Sequence, residues 1–533
     1  MVKRIELPQI PLEEQTPLVR TLLEIIEQLA GQVQRLEEEV GQLKDEIAVL
    51  KGKKKRPKFK PSKLDEQAGQ EQGEDKTGKR PGSEKRSKTE HLTIHEERII
   101  APQVIPAGSR FKGYQDYVVQ ELVIEPHNIR YRLERWQTPA GGSLLGHLPE
   151  SLKSHFGPRL VSYLLYQYHH AHVTQPLLLE QLHEWGIDIS VGQINELLTW
   201  RKGAFLEEKN ELLRAGLEAS TAITVDDTGA RHKGKNGYAT HIGNQYFAWF
   251  ESTTQKSRIN FLQLLRAGQT DYRVDEEALG YMQAQKLPQE IVHCLRQHPE
   301  RSFSNVAQWQ AHLKRLAITG ERHIRIATEG ALLGSIVHHG FPKDLAIVSD
   351  DAGQFNVLLH GLCWVHAERT IRKLVPLNAA HREELESVRR QIWEFYTELK
   401  TYKQLPCNAK KVELEARFDE IFTPKTSFAT LNQALQRLQR NKAELLLVLE
   451  RPDVPLHTNG SERDIREYVK KRKISGGTRS DLGRRGRDTF ASLKKTCRKL
   501  GISFWNYLTD RLSGANKILP LPVLIRQRAV AQE

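Results

Sequence analysis

Between Ala222 and Glu251 apolar and polar residues alternate in three short runs, AITVD, YATHIG and QYFAWFE, separated by turns at Lys235-Asn236-Gly237 and Gly243-Asn244. Asn-Gly between alternating runs is the strongest short hairpin signal, so this stretch predicts a three-strand antiparallel meander. A helix follows over Ile259–Leu265. Much later, Leu345–Ser349 (LAIVS) is wholly apolar, as a strand buried on both faces of a parallel pairing must be, and it ends in Asp350-Asp351 before another helix. These elements require an α/β layer architecture.

Meander, helix, buried strand, helix is the order of a ribonuclease-H-like core. In such a sheet the first and fourth strands are neighbours, so an aspartate ending each sits beside the other, and Asp226 and Asp350 meet that condition. Paired carboxylates suit Mg2+, which takes oxygen ligands and keeps water positions open for a phosphate. Two such ions about 4 Å apart clamp the attacking and leaving oxygens of a phosphodiester displacement. Each aspartate belongs to a doublet, Asp226-Asp227 or Asp350-Asp351, and adjacent strand residues face opposite sides, so one of each pair can point to the metal. A third carboxylate completes the cage. Glu462, in His457-Thr458-Asn459-Gly460-Ser461-Glu462-Arg463, is the candidate; Asn459 followed three residues on by Glu462 also reads as a helix capping box.

Charge points to an anionic polymer. The 533 residues carry 80 Lys and Arg against 66 Asp and Glu, a net +14. The excess is confined to residues 51–90, net +7, and 463–499, net +10, as expected of defined phosphate-contacting surfaces. No apolar run approaches the roughly 20 residues of a bilayer-spanning helix, so no membrane partner is expected. The opening MVKRIELPQIPLEEQ has no apolar signal region, which predicts a cytoplasmic protein, associated with the nucleoid in a prokaryote. Four cysteines, none in a CxxC pair, argue against a disulfide framework or a four-cysteine zinc site.

Length predicts three or four folding units. Leu22, Ile26, Leu29, Val33, Leu36, Val40, Leu43, Ile47 and Leu50 follow an unbroken heptad spacing with β-branched residues at a and leucine at d, which predicts a parallel two-stranded coiled coil within residues 1–51. Residues 52–90 have almost no aliphatic side chains and read as a disordered basic linker; Lys51–Lys63 holds eight basic residues and no acid. Alternating runs at Tyr117–Ile124 and Ile129–Trp136 suggest a small strand-rich unit over 91–150. Within 151–215, helices over Leu160–Tyr168, from Thr174 to near Gly186, and from Ser190 to Trp200 have helix-turn-helix spacing, which non-binding α-hairpins share. The remaining divisions are a catalytic domain over 216–510, with helical insertions at 268–340 and 378–450, and a C-terminal tail over 511–533. His169, His170 and His172 read as surface or packing residues.

Four blocks carry a more specific resemblance: Val225-Asp226-Asp227-Thr228; Ser349-Asp350-Asp351 with Phe355; Cys363-Trp364-Val365-His366-Ala367; and Asn459-x-x-Glu462-Arg463-x-Ile465-Arg466 with Arg472-Lys473 and Gly476-Gly477. In these blocks, in this order, the chain resembles a DDE transposase of the insertion sequence sixty-six family, and its coiled coil and basic linker match that layout. The resemblance implies that Asp226, Asp350 and Glu462 are the catalytic, metal-binding triad, holding two Mg2+ ions for which Mn2+ can substitute. It implies cleavage at the terminal inverted repeats of an insertion sequence and transfer of the 3′-hydroxyl into target DNA. A homodimer or higher oligomer is expected through the coil, with accessory proteins of the element as further partners. Arg463, Arg466, Lys470, Lys471, Arg472, Lys473 and Arg479, which follow the glutamate, are the expected DNA contacts. Cys363, His366 and Asn459 are expected to support the acids. A transposase-derived DNA-binding protein without activity and a nuclease on the same core are the alternatives. Two departures stand out: residues 1–293 lack cysteine where many relatives carry a cysteine-rich module, and 268–340 is unexplained by the match.

Overall fold

The computed structural model describes residues 16–33 in part, 92–149, 152, 154–199, 203–423 and 425–531. The described residues from Pro17 to Val33 are helical; the rest of the heptad repeat and the basic linker lie outside the described residues. The chain divides into two units, residues 35–127 and residues 1–34 with 128–533.

In the first unit, residues 92–127 contain no helix or strand. The strand-rich reading of 91–150 is therefore corrected. The Tyr117–Ile124 run forms no strand, with Tyr117 91 % and Leu122 77 % exposed, because alternation without a surface to cover gains nothing from pairing. Within 91–150 the described strands are a short hairpin in the second unit, Arg135–Gln137 with Ser143–Leu145.

The second unit is built on a five-stranded sheet. Its strands are β1 (Ala222–Gly229), β2 (Tyr238–Gly243), β3 (Ala248–Thr253), β4 (Ala346–Ser349) and β5 (Leu359–Leu362), in the order β3-β2-β1-β4-β5. The meander β1-β2-β3 is antiparallel, and β1-β4 and β4-β5 are parallel. Ile223, Val225, Ile347 and Val348 are buried, which explains the short apolar strand. Between β3 and β4 the chain runs through helix Arg258–Leu265, where the sequence predicted a helix over Ile259–Leu265, and then, within residues 268–340, through helices Glu276–Ala284, Gln289–Gln297, Val306–Arg315 and Glu321–His338, with a small hairpin of Tyr272–Arg273 and Ser302–Phe303.

The predicted helices at 151–215 form as Pro158–His169, Gln175–Glu184 and Val191–Thr199. The third starts on a reciprocal cap: Gln193 N–H donates to Ser190 Oγ (3.2 Å), and Ser190 N–H donates to Gln193 Oε1 (2.8 Å). The second insertion, with helices Ala379–Gln404, Asn408–Phe422 and Ala429–Arg440, has its own apolar core around Trp364, Phe395, Phe418 and Phe422. Helix Asp481–Lys499 packs on β3, hydrogen-bonding its backbone through Ser492 and Thr496. Residues read as a C-terminal tail instead form helix Leu521–Val530, whose Leu521 and Ile525 are buried against helix Gly203–Glu218. The sequence signal there was short, and burial of that one apolar face holds it.

Candidate active site

The parallel pairing of β1 and β4 joins Thr224 to Val348. Two residues beyond that pair come Asp226, within β1, and Asp350, at the end of β4. Burial raises the Asp226 carboxyl first; the Asp227 N–H, which donates to Asp226 Oδ1 at 2.7 Å, pulls it down, and the charge of Asp350 raises it again, leaving it at about 6. Uncompensated negative charge on an all-oxygen donor set is what a hard divalent cation relieves.

The other member of each doublet is engaged elsewhere. Asp227 receives Lys256 Nζ at 3.0 Å and Gln354 Nε2 at 3.0 Å. Asp351 receives Arg437 Nε at 2.9 Å.

Glu462 lies in the first turn of helix Asn459–Ser475. Thr458 is the N-cap and makes no side-chain cap bond, and Asn459 is already helical, so the capping box does not form. Instead Glu462 Oε1 accepts from Arg369 Nη2 (3.1 Å) and lies 3.4 Å from His366 Nε2, while Oε2 accepts from Arg466 Nη2 (3.4 Å). A hydroxyl pair, Thr224 Oγ1 and Ser461 Oγ at 2.6 Å, pins the helix start to β1. Asn459 N–H donates to His457 Nδ1 at 3.4 Å.

His366 links the acids. Its charge lowers the Asp226 pKa while its ring touches Glu462. Cys363 is buried, and its thiol accepts from the Thr458 N–H at 3.4 Å; burial pushes the thiol up, but His366 and Thr458 outweigh it and hold it below the ordinary range. Asp350, Cys363, His366, Arg369, Lys373 and Arg437 line a cleft of about 240 Å³. The three acids do not close to within 4.8 Å of one another as a group, since among the described residues that spacing occurs only at His298, Glu300 and His312. Reading the sequence for acids missed Arg369, although its position one turn beyond His366 on helix Trp364–Arg372 carried the signal.

Of the expected DNA contacts, Arg463, Arg466, Lys470, Lys473 and Arg479 are exposed. Arg472 is half-buried, with Nη1 3.4 Å from Thr228 Oγ1. Lys471, also among the expected contacts, is instead buried: it donates to the Tyr168 carbonyl at 2.6 Å, and its ammonium lies 3.5 Å from the centre of the Tyr168 ring, which turns it away from the surface.

The profile of the Transposase IS66 family matches residues 346–485, which span Asp350, the Cys363–Ala367 block and Glu462. An uncharacterized protein of Sinorhizobium fredii, y4jO, is 45% identical over 321 residues, covering 60% of this chain and all of that protein. Among the described residues no helix is long and apolar enough to cross a membrane. With the profile falling on the segment that carries two of the three acids, and a relative matched along its whole length, the chain belongs to the IS66 family of transposases, which act on DNA and generally use a divalent metal.

Proposed function

We propose that the protein is a DDE transposase that cleaves DNA strands at the ends of its insertion sequence and transfers the 3′-hydroxyl into target DNA. The observation that carries this reading is the placement of Asp226 and Asp350 beside each other on parallel neighbours β1 and β4, with the helix bearing Glu462 pinned to β1 through Ser461. The strand order β3-β2-β1-β4-β5, antiparallel then parallel, supports a ribonuclease-H-like core.

Two Mg2+ ions held by Asp226, Asp350 and Glu462 would supply a metal-activated nucleophile and screen charge at the phosphate. The rest is done by the chain. Asp226 and Asp350 present the oxygen donors, while Arg369 and His366 hold the Glu462 carboxylate at the cleft edge. Arg463, Arg466, Lys470, Arg472, Lys473 and Arg479 take the phosphates on either side of the scissile bond. No covalent protein intermediate is required. Residues 18–51 would pair two copies, so that two DNA ends are handled together.

One observation favours a second reading. Glu462 is engaged by Arg369, and the three acids do not close to within 4.8 Å of one another as a group, which fits a transposase-derived protein that binds DNA without cutting it. A cleavage and joining assay on DNA carrying the element's ends, with wild type and Glu462→Gln compared in Mg2+, separates the two. The transposase reading requires 3′-end cutting and joining by the wild type, lost in Glu462→Gln with DNA binding intact. Binding without chemistry in the wild type selects the second reading, and cutting without joining selects a nuclease.

A further inference from the structure

The insertion between β3 and β4 holds three side chains that the proposed chemistry does not use. One imidazole nitrogen from each of His298 and His312 and a carboxylate oxygen of Glu300 lie within 4.8 Å of one another. We propose that His298, Glu300 and His312 form a binding site for one transition-metal ion of the Zn2+ type, distinct from the carboxylate pair on the sheet.

His312 carries the argument furthest. It is 1 % exposed, enclosed by the rings of Phe303 (centroids 4.5 Å apart), Trp309 (5.9 Å) and His298 (4.5 Å). Its Nδ1 is buried with no hydrogen-bond partner. Native folds seldom leave such an atom unpaired unless an ion or a water completes it.

The surroundings suit a ligand set. His298 Nδ1 rests on the Glu300 backbone, 3.1 Å from the N–H, which donates to it when the ring carries its proton on Nε2, and 3.3 Å from the carbonyl oxygen, to which it donates when the proton is on Nδ1; an ion at Nε2 selects the second tautomer, the arrangement typical of ligating histidines. The Glu300 carboxylate is steadied from outside by Arg315, whose Nη2 donates to Oε2 at 2.6 Å. Two imidazoles and one carboxylate select Zn2+ over Mg2+ or Ca2+, and three protein ligands leave the fourth position of a tetrahedral ion to water.

Position suggests what the ion does. His298 follows helix Gln289–Gln297, Glu300 precedes the Ser302–Phe303 strand, and His312 lies in the last turn of helix Val306–Arg315. An ion there ties three consecutive elements together, in a segment that continues through helix Glu321–His338 into β4 and Asp350.

The test uses the full chain, stripped of metal with a chelator and titrated with Zn2+ against a chromophoric competitor. One tight Zn2+ per chain is expected in wild type and in Asp226→Asn, at least tenfold weaker in His298→Ala and His312→Ala. Glu300→Gln changes an exposed side chain and serves as the variant least prone to misfold; it should bind more weakly while melting at the wild-type temperature in chelator. Zn2+ should also raise the melting temperature of wild type and leave that of His298→Ala unchanged. Equal affinity in all the variants, or loss of the ion in Asp226→Asn alone, overturns the proposal.

Discussion

The two aspartate doublets show how much chemistry one residue of register decides. Strand alternation alone left Asp226 against Asp227 and Asp350 against Asp351 undivided, and the choice of Asp226 and Asp350 came from the family resemblance, because what separates them physically are side chains far along the chain: Gln354 is 127 residues from Asp227, and Arg437 is 86 from Asp351. With Asp227 neutralised by Lys256 and Asp351 by Arg437, the proposed donors are the other two. Asp226→Asn should therefore lower strand cleavage by roughly 10²–10⁴, a loss of several kcal/mol of barrier stabilisation, with DNA binding retained. Asp227→Asn and Asp351→Asn should stay within about tenfold of wild type, since each removes a salt bridge and no donor. Single-turnover cleavage rates decide, and an Asp227→Asn loss as deep as that of Asp226→Asn would reverse the assignment. A second residue-scale prediction concerns Glu467, which bridges Lys494 and Lys495. Burial raises its carboxyl, but the two lysines outweigh that and bring it from 4.5 to about 2. Because the folded pKa lies below the unfolded one, its contribution is complete above pH 4.5 and is lost as the pH falls through about 2. Glu467→Gln should cost roughly 3 kcal/mol at pH 7, where two buried lysines each lose one charged partner, and its deficit in thermal stability should shrink as the pH is lowered toward 2.

At the scale of elements, what the sequence made legible follows how local each signal is. The Asn-Gly turn and the alternating runs placed the first three strands of the sheet, and LAIVS placed the fourth, because period-two alternation and a short apolar run survive any tertiary context that buries one or both faces. The same alternation failed at Tyr117–Ile124, where nothing covers the apolar face. Helix Leu521–Val530 escaped notice for the opposite reason, since its stabilising surface is helix Gly203–Glu218, some 300 residues earlier in the chain. The Gly476-Gly477 pair, lacking Cβ atoms, permits close backbone approach. What approaches is the chain itself: Gly476 ends helix Asn459–Ser475 at φ +67°, and Thr478 N–H donates to the Arg231 carbonyl at 2.9 Å while Lys233 N–H donates to the Thr478 carbonyl at 2.8 Å. A Cβ on Gly477 would strike the Arg231 carbonyl, backbone that cannot swing aside. Gly477→Ala should therefore cost about 1–3 kcal/mol and loosen the junction between the loop after β1 and the helix bearing Glu462. Thermal denaturation checks the first part; faster amide exchange at Lys233 and Thr478 checks the second, and protection equal to wild type there would mean that the junction tolerates the methyl.

Over the whole molecule, positive charge is less available than its placement along the chain implies. Residues 463–499 carry net +10, yet much of it is consumed internally. Lys471 is spent on Tyr168, Lys494 and Lys495 on Glu467, and Lys499 on Asp464 at 2.9 Å, while Arg487 bonds Ser475 and the Gly476 carbonyl. The acids interspersed in this window are what the sequence could not weigh: Asp464, buried with His241 Nε2 at 3.3 Å and Lys495 at 3.4 Å, turns basic residues inward that a charge count assigns to a surface. Folding thus divides one basic window into an interior ionic lattice, which fixes helix Asn459–Ser475 against helix Asp481–Lys499, and an outward set of Arg463, Arg466, Lys470, Lys473 and Arg479. Counterion release makes that division measurable, because each phosphate contact adds about 0.9 to the slope of log K against log salt on duplex DNA. Neutralising Arg463, Lys470 or Arg479 to glutamine in the full chain should lower that slope by about 1 each and weaken binding to all sequences alike. Lys471→Met should leave the slope unchanged while altering stability. A slope that drops for Lys471→Met and holds for the outward residues would mean that DNA enters on the Tyr168 side of the helix and that the inward lattice opens on binding.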